Sequence, residues 1–363
     1  MRIAVISDVI YPWVIGGGEK RYYEVFRRLA KKHDVHFYTM FYKGMPSKEF
    51  EYEGMKVHCV CDAPKNIYSG KRRKIIPAIK FSLLLYGKLK QEKFDLIECN
   101  EFPFFPCFTA KRVARMQNIP LFVTWHEVWG DYWYSYMGCI GVFGKFTEKL
   151  ATNISDRIIS VSELTKRKLT AIGVNAERIS VIPNGVNLEA VRNAKPKRIK
   201  NDVLFIGRLI KDKNVDLLLE ALSLLDVTCM IVGDGPERKK LESLAKKLNL
   251  EKRVKFMGFI PKDEEIYSYI KSSKLLAIPS TREGFGLVAV EANACGIPVL
   301  TVDSLDNAVR DLVKDGVNGK IVKLDSRSIA DGIKQLSGMK VKVKLEGYEW
   351  SDIAKQLEEV YRA

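Results

Sequence analysis

The chain has 363 residues, of which 47% are hydrophobic and 29% are charged, a balance typical of a globular protein. Two domains are expected because a single hydrophobic core rarely exceeds ~250–300 residues. Its formal net charge of +16 favours an anionic partner: a phosphorylated substrate, nucleic acid or an anionic membrane surface. The seven scattered cysteines lack paired C-x-x-C spacing, and no apolar run approaches ~20 residues, which argues against a zinc site and a membrane-spanning helix.

The first half of the chain predicts buried strands alternating with helices. A strand at 2–7 (RIAVIS), a loop ending at Gly16, Gly17 and Gly18, a helix at 19–32 and a strand at 35–40 form a β-loop-α-β unit. Further strands are predicted at 94–99, 120–124, 157–161 and 179–182, and the last one ends in the turn signal Pro183-Asn184-Gly185.

A basic, Pro-containing segment at 193–200 (NAKPKRIK) indicates the linker between two domains. After it, strands at 203–207, 227–233, 254–256, 274–279 and 298–301 alternate with helices at 215–225, 236–248 and 287–295. We therefore predict α/β domains at 1–190 and 191–348. A last helix, within 349–363, is predicted to start with Ser351 as its N-cap and to pack back on the first domain.

The segment 280–296 (STREGFGLVAVEANACG) has the strongest functional signal. A predicted strand enters a loop containing Gly284 and Gly286 and then a helix starting near Leu287, whose free N–H groups suit a diphosphate. Glu283 and Glu291 supply carboxylates that accept hydrogen bonds from sugar hydroxyls. The alternative is two solvated glutamates, which is disfavoured for Glu291 because it interrupts an apolar helix and needs a buried partner.

Other candidates follow predicted strands, where open α/β sheets bind ligands. Arg208 and Lys213 follow one strand and would neutralise a diphosphate leaving group, although solvated loop cations are an equal alternative. His126 follows another and could contact a sugar or an acceptor hydroxyl, or simply be packed. The Gly16–Gly18 loop lacks the full G-x-G-x-x-G pattern and is equally consistent with a flexible turn.

No D-x-D motif and no His/Asp cluster occurs in the sequence. A divalent metal held by paired carboxylates is therefore not expected, and no other cofactor is indicated. Arg208, Lys213 and helix N–H groups would then have to stabilise a leaving diphosphate.

Together these segments resemble the retaining glycosyltransferases of the GT-B fold, in particular family 4. The shared motifs are the Gly-Gly loop, TWH at 124–126, SELTK at 162–166, VIPNGV at 181–186, GRL…K at 207–213 and VGDGP at 232–236. The most specific is E-x7-E, formed here by Glu283 and Glu291 with Gly284, Phe285 and Gly286 between them.

The resemblance implies two Rossmann-like, doubly wound domains facing across a cleft, and a nucleotide sugar such as a UDP- or GDP-hexose held mainly by the second domain. It implies metal-free retaining transfer to a hydroxyl acceptor, with the proton passing to the leaving diphosphate. A covalent glycosyl-Glu283 is less favoured. The implied donor-site residues are Gly17, Gly18 and His126 of the first domain, and Arg208, Lys213, Gly233, Phe259, Ile260, Glu283, Gly284, Phe285, Gly286, Leu287 and Glu291 of the second.

Two segments suggest a membrane-associated acceptor. KRRK at 71–74 precedes an apolar, lysine-bearing helix at 75–90. The segment 131–146 is rich in aromatic residues that we expect to be exposed and able to contact an acceptor or lipid. A basic amphipathic helix suits an anionic membrane, while a core-facing helix with a basic end is the alternative. We expect a cytoplasmic protein, since no secretory signal precedes the first strand, placed peripherally on the inner face of the cell membrane to reach a lipid-linked or polysaccharide glycan.

Two other functions remain open at this level. A sugar-nucleotide epimerase or hydrolase on the same fold would turn over its donor without an acceptor. A basic nucleic-acid-binding protein would expose aromatic and basic strands, whereas this sequence predicts strands buried between helices.

Overall fold

The structure, a computed structural model, describes residues 1–69, 72–199, 201–341 and 345–363. Lys71 and Lys200, which belong to the basic segments noted above, lie outside these ranges. Internal packing divides the chain into two compact units. Unit 1 comprises 1–184 with 350–363, and unit 2 comprises 185–349.

Unit 1 is built on a mainly parallel sheet with the order β10-β9-β8-β7-β1-β2-β4-β3, in which only the β3–β4 pair is antiparallel. Its central strands are buried along most of their length because both faces of the sheet are covered. The strands of unit 1 are β1 (Arg2–Ile6), β2 (Asp34–Phe41), β3 (Glu49–Tyr52), β4 (Met55–Asp62), β5 (Tyr68–Ser69), β6 (Arg72–Arg73), β7 (Leu96–Asn100), β8 (Leu121–Trp125), β9 (Arg157–Ser160) and β10 (Ile179–Val181).

The helices of unit 1 follow the periodicity expected for one buried face. In the first of them Tyr22, Val25, Phe26 and Leu29 are buried at i, i+3, i+4 and i+7. These helices are α1 (Gly17–Leu29), α2 (Ile75–Leu89), α3 (Phe105–Gln117), α4 (Tyr132–Met137), α5 (Gly141–Thr152) and α6 (Glu163–Ala171).

Unit 2 has a parallel sheet with the order β13-β12-β11-β14-β16-β18. The order reverses at β11, and the carboxyl ends of its strands share one edge, where ligands bind in such sheets. Its elements are α7 (Leu188–Asn193), β11 (Asn201–Ile206), α8 (Val215–Ser223), β12 (Cys229–Val232), α9 (Arg238–Lys247), β13 (Val254–Gly258), α10 (Asp263–Lys271), β14 (Ser273–Ile278), β15 (Arg282–Glu283), α11 (Leu287–Ala294), β16 (Val299–Val302), β17 (Asp306–Asn307), α12 (Val309–Leu312), β18 (Gly319–Val322) and α13 (Ser326–Leu336).

The last helix, α14 (Trp350–Arg362), belongs to unit 1 and packs on α1. The Tyr361 ring lies 4.8 Å from that of Phe122, and Glu358 Oε1 lies 3.1 Å from His33 Nε2. The prediction that Ser351 is the N-cap is wrong: the helix already includes Trp350, whose fully buried indole fixes the start of the helix.

The linker predicted at 193–200 does not coincide with the boundary between the units. The residues leading into it form α7, and Lys271 Nζ on α10 donates to the carbonyl of Ala194 at 2.7 Å. The chain therefore passes into unit 2 at 184/185, slightly before the predicted boundary at 190, because these contacts tie 185–194 to the second sheet's helices.

Candidate active site

Glycines bring the loops at the carboxyl edge of the unit 2 sheet into direct backbone contact. Gly207, Gly233 and Gly258 lie at the ends of the neighbouring strands β11, β12 and β13. Gly233 has a φ of +135°, and a Cβ there would lie 1.9 Å from the Gly207 carbonyl oxygen. Its N–H donates to the Gly258 carbonyl at 2.8 Å. Only glycine fits this position. Gly233 is half-buried, and Phe259, which directly follows Gly258, is 55% exposed.

The E-x7-E segment forms the predicted strand-loop-helix. Gly286 has a φ of +90° and starts α11, and a Cβ there would lie 2.3 Å from Val309 Cγ2. Phe285 is buried below the loop, while Gly284 and Leu287 are half-buried. The N-cap residue of α11, Gly286, provides no side-chain cap, and uncapped N–H groups at the start of a helix suit an anion.

Lys213 and Glu283 form an ion pair at this edge. Lys213 Nζ lies 2.6 Å from Glu283 Oε1, and both side chains are 17% exposed. The two loops are also joined by the Thr281 N–H, which donates to the Asp212 carbonyl at 2.9 Å. The sequence predicted a diphosphate contact for Lys213 and a sugar contact for Glu283, and the structure adds that each holds the other in place.

Glu291 has the buried partner that the sequence required. It is 3% exposed on α11, and the Tyr267 hydroxyl donates to its Oε1 at 3.4 Å. Arg208, directly after β11, is exposed at the same edge of the sheet, and Ile260 is half-buried after β13. Unit 2 thus gathers cations, carboxylates and a helix N-terminus along adjacent strand ends.

In unit 1, His126 lies against the Gly16–Gly18 loop. A Cβ on Gly18 would lie 3.4 Å from its Cε1 and Nε2 atoms, whereas Gly17 is exposed with open space around it. Burial lowers the pKa of His126 to about 3, so the imidazole is neutral near pH 7. Its Nε2 is buried and has no partner among the described residues, which suits a hydrogen bond to a ligand.

Glu101 is a site residue that the sequence analysis missed. Its Oε1 accepts a hydrogen bond of 2.8 Å from the His126 backbone N–H, and its buried Oε2 has no partner in the described part of the chain. Burial raises the pKa of Glu101 to about 8. The only signal was its place just after the strand predicted at 94–99.

Two further buried ionisable side chains of unit 1, Arg21 and Glu98, lie on α1 and β7. Arg21 Nη1 donates to Asn184 Oδ1 at 3.0 Å, and burial lowers the pKa of Arg21 to about 10. Glu98 on β7 accepts hydrogen bonds from the hydroxyls of Tyr22 at 3.3 Å, Tyr361 at 3.1 Å and Thr124. Burial raises the pKa of Glu98 to about 7, against the effect of these donors.

The aromatic segment 131–146 is exposed only in part. Phe143 and Phe146 are exposed as predicted, but Trp133 is buried because its ring packs on Gly144 of α5. Within the described ranges, no group of three or more His, Cys, Asp or Glu is arranged to hold a metal, and no helix is long and apolar enough to cross a membrane.

Two family models match consecutive parts of the chain. "Glycosyltransferase Family 4" matches residues 15–190, and "Glycosyl transferases group 1" matches residues 189–344. An uncharacterized glycosyltransferase of Methanocaldococcus jannaschii is 30% identical over 88% of this chain and 83% of its own length.

More distant similarity extends over nearly the whole chain. The gpi3 subunit of phosphatidylinositol N-acetylglucosaminyltransferase from Schizosaccharomyces pombe is 24% identical over 98% of this chain and 79% of its own length. The structure of Anabaena HepE in complex with UDP-glucose is 19% identical, with a TM-score of 0.75 and coverage of 100% of this chain and 99% of that one.

Proposed function

This chain belongs to the family 4 glycosyltransferases and has the GT-B fold of two Rossmann-like domains. We propose that it moves a hexose from a UDP- or GDP-sugar to a hydroxyl of a lipid-linked or polysaccharide glycan. We propose that the transfer retains the anomeric configuration. The observation that carries the donor half is the Lys213–Glu283 pair beside the uncapped start of α11. A cation, a carboxylate and helix N–H groups at one sheet edge suit a sugar linked to a diphosphate.

In this proposal the leaving diphosphate is stabilised by Arg208, Lys213 and the N-terminus of α11, without a metal. As the glycosidic C1–O bond breaks, negative charge develops on the diphosphate, and positioned cations and N–H groups lower the energy of that charge. Lys213 would then share its charge between Glu283 and the phosphate, since the ion pair already aims its Nζ at this edge.

The carboxylates would hold the two sugars of the donor. Glu283 accepts hydrogen bonds from the hexose, and Glu291, fixed by Tyr267, accepts them from the ribose. Gly17 and Gly18 leave room for a sugar beside α1, and the neutral His126 offers its Nε2 to a hydroxyl. The acceptor oxygen forms the new bond to C1 as the old bond breaks, and its proton passes to the departing diphosphate.

For the acceptor we propose a lipid-linked glycan, reached by peripheral binding to the inner face of the cell membrane. The support is the exposed apolar and basic surface of α2 and α5 in unit 1. The similarity to a phosphatidylinositol N-acetylglucosaminyltransferase subunit points the same way.

The test begins with thermal shift against UDP, GDP and ADP and their hexose conjugates. The stabilising conjugate is then incubated with lipid extract, and the product linkage is determined. We expect Glu283→Gln to lose transfer by more than 100-fold, or ~3 kcal/mol of transition-state stabilisation, while Glu163→Gln, the same change on the exposed side of α6, keeps it. Rapid nucleotide release without any acceptor would instead favour a hydrolase or epimerase.

A further inference from the structure

Exposed apolar side chains are concentrated on the helices of unit 1. On α5, Phe143 is 69% exposed, Phe146 61% and Leu150 43%, at i, i+3 and i+7, so they form one stripe. A similar stripe runs along α2, formed by Ile75, Ile76, Ile79 and Leu83. The two areas are joined where the Arg73 N–H, two residues before α2, donates to the Tyr136 hydroxyl of α4 at 2.6 Å.

The exposed charged side chains of α2, α3 and α5 are all cations. The sequences of α2 and of the adjacent α3 contain Lys and Arg but no Asp or Glu. In α5, Glu148 is the one carboxylate, and it is only 2% exposed, while Lys149 is exposed. Two exposed acids lie beside these helices, Asp131 paired with Lys145 and Glu49 paired with Lys88. Apolar stripes on helices that themselves expose only cations are complementary to a bilayer of anionic lipid rather than to a second copy of this basic chain.

The buried side of α5 holds the loop that follows His126. Glu148 Oε1 accepts a hydrogen bond from the Trp129 N–H at 2.7 Å, and Oε2 accepts one from the Gly130 N–H at 2.8 Å. Burial raises the pKa of Glu148, while these two N–H groups favour its charged form. A single α5 side chain thus fixes the backbone at Trp129 and Gly130, which follow the site residue His126 closely in sequence.

The helices α4 and α5 are closely packed against each other. A Cβ on Gly144 would lie 2.3 Å from the Trp133 ring, and one on Gly141 would lie 2.3 Å from the Trp133 carbonyl oxygen. The Trp129 and Trp133 rings are 4.6 Å apart. Because the Trp133 ring of α4 packs directly on Gly144 of α5, we expect a displacement of α5 to reach the loop.

We propose that α5 couples a lipid surface to the active site. The apolar stripe of α5 enters an anionic membrane, and the hydrogen bonds of Glu148 then hold the backbone of the loop at Trp129 and Gly130 more firmly. The loop beside His126 is then held more firmly on a membrane than in solution. This inference concerns regulation of the site and rests on the proposed function for its consequence in transfer.

Hydrogen exchange tests the coupling without needing an acceptor. The full chain is mixed with vesicles of phosphatidylglycerol and phosphatidylcholine, or of phosphatidylcholine alone, and exchange is followed in the peptide containing Trp129 and Gly130. With anionic vesicles we expect these amides to exchange about fivefold more slowly, the effect of strengthening roughly one hydrogen bond. Phosphatidylcholine alone should leave them unchanged.

Two variants separate binding from coupling. Phe143→Ser with Phe146→Ser should abolish vesicle binding and the slower exchange together. Glu148→Gln keeps the shape but loses one acceptor, so the protein should still bind anionic vesicles without slowing exchange at the loop. Glu163→Gln is the matched control and should behave as wild type.

The proposal is overturned if Glu148→Gln slows loop exchange as wild type does, if the wild-type chain stays unbound or binds both vesicle types equally, or if the Phe143/Phe146 variant still shows the slower exchange. Self-association through the stripe, seen by light scattering without lipid, would also overturn it. None of these results bears on donor transfer. Conversely, intact coupling in a chain that transfers no sugar would refute only the proposed function.

Discussion

Replacing Glu98 with glutamine removes a titrating carboxyl from the interior of unit 1 while keeping its size. Glu98 is fully buried on β7 and is surrounded by the hydroxyls of Tyr22, Tyr361 and Thr124, with the Arg21 charge nearby. Burial raises its pKa from 4.5 to about 7. The folded protein therefore holds a proton that the unfolded chain releases above pH 4.5.

The size of the effect follows from proton linkage. The stabilisation is fully present below pH 4.5 and is lost as the pH rises through 7. Between these two pH values the folded state keeps the Glu98 proton that the unfolded chain has released, so stability falls as the pH rises. Between pH 5 and pH 8 the loss from this one group is about 2 to 3 kcal/mol. Glu101, whose pKa burial raises to about 8, acts in the same direction, so the comparison must be between the variant and wild type.

Intrinsic fluorescence in urea measures the unfolding of unit 1, because all five tryptophans lie there: Trp13, Trp125, Trp129, Trp133 and Trp350. Glu98→Gln should gain about 2 to 3 kcal/mol relative to wild type on going from pH 5 to pH 8. Glu358→Gln is the control: burial opposes ionisation there, but hydrogen bonds from His33 and Arg362 lower the pKa of Glu358, so its stabilisation is lost only as the pH falls below 4.5. The difference between this variant and wild type should therefore stay constant between pH 5 and pH 8. A pH-independent difference between Glu98→Gln and wild type would show that Glu98 does not take up this proton on folding.

Three further changes have distinct expected outcomes. Gly286→Ala should lower the melting temperature and the nucleotide affinity, because a Cβ at this positive φ meets Val309. Gly17→Ala, with open space around the residue, should keep the melting temperature and lose transfer. Scanning fluorimetry and a transfer assay compare the two variants, and equal losses of melting temperature would contradict this. Glu291→Gln should raise the KM for the nucleotide sugar about tenfold with kcat unchanged, as expected for the loss of one hydrogen bond from a charged group; steady-state kinetics tests this, and a fall in kcat alone would contradict a ribose role. Dialysis against EDTA should leave the transfer rate unchanged, and a loss reversed by Mg²⁺ would show that Arg208 and Lys213 are insufficient.

The local parts of the site could be predicted from the sequence because their signals lie within a few residues. The loop at 280–286 and the helix from Leu287 form the expected strand-loop-helix, with Gly286 at a positive φ. The same applies to the alternation of strands and helices in both units. Glycine spacing and apolar periodicity are local properties of the chain, so they specify local structure.

Contacts between distant residues could not be predicted in this way. Glu98 accepts from Tyr361 across 263 positions of sequence, and Arg21 meets Asn184 across 163. Neither pair carries a spacing signal, because only the sheet order brings β7, α1 and α14 together. The antiparallel β3–β4 hairpin was likewise missed, since its exposed strand alternates polar and half-buried residues rather than forming an apolar run.

The hydrogen bond from Tyr361 to Glu98 has a consequence for synthesis of the protein. Unit 2 is continuous along the chain, so its sequence is complete before α14 leaves the ribosome. Until that helix arrives, the first 184 residues lack the Tyr361 hydroxyl that donates to Glu98 and the Tyr361 ring that packs on Phe122. The half of the protein that is made first is therefore the last to be finished, and an interruption near its end would leave that half, rather than its neighbour, exposed to proteases.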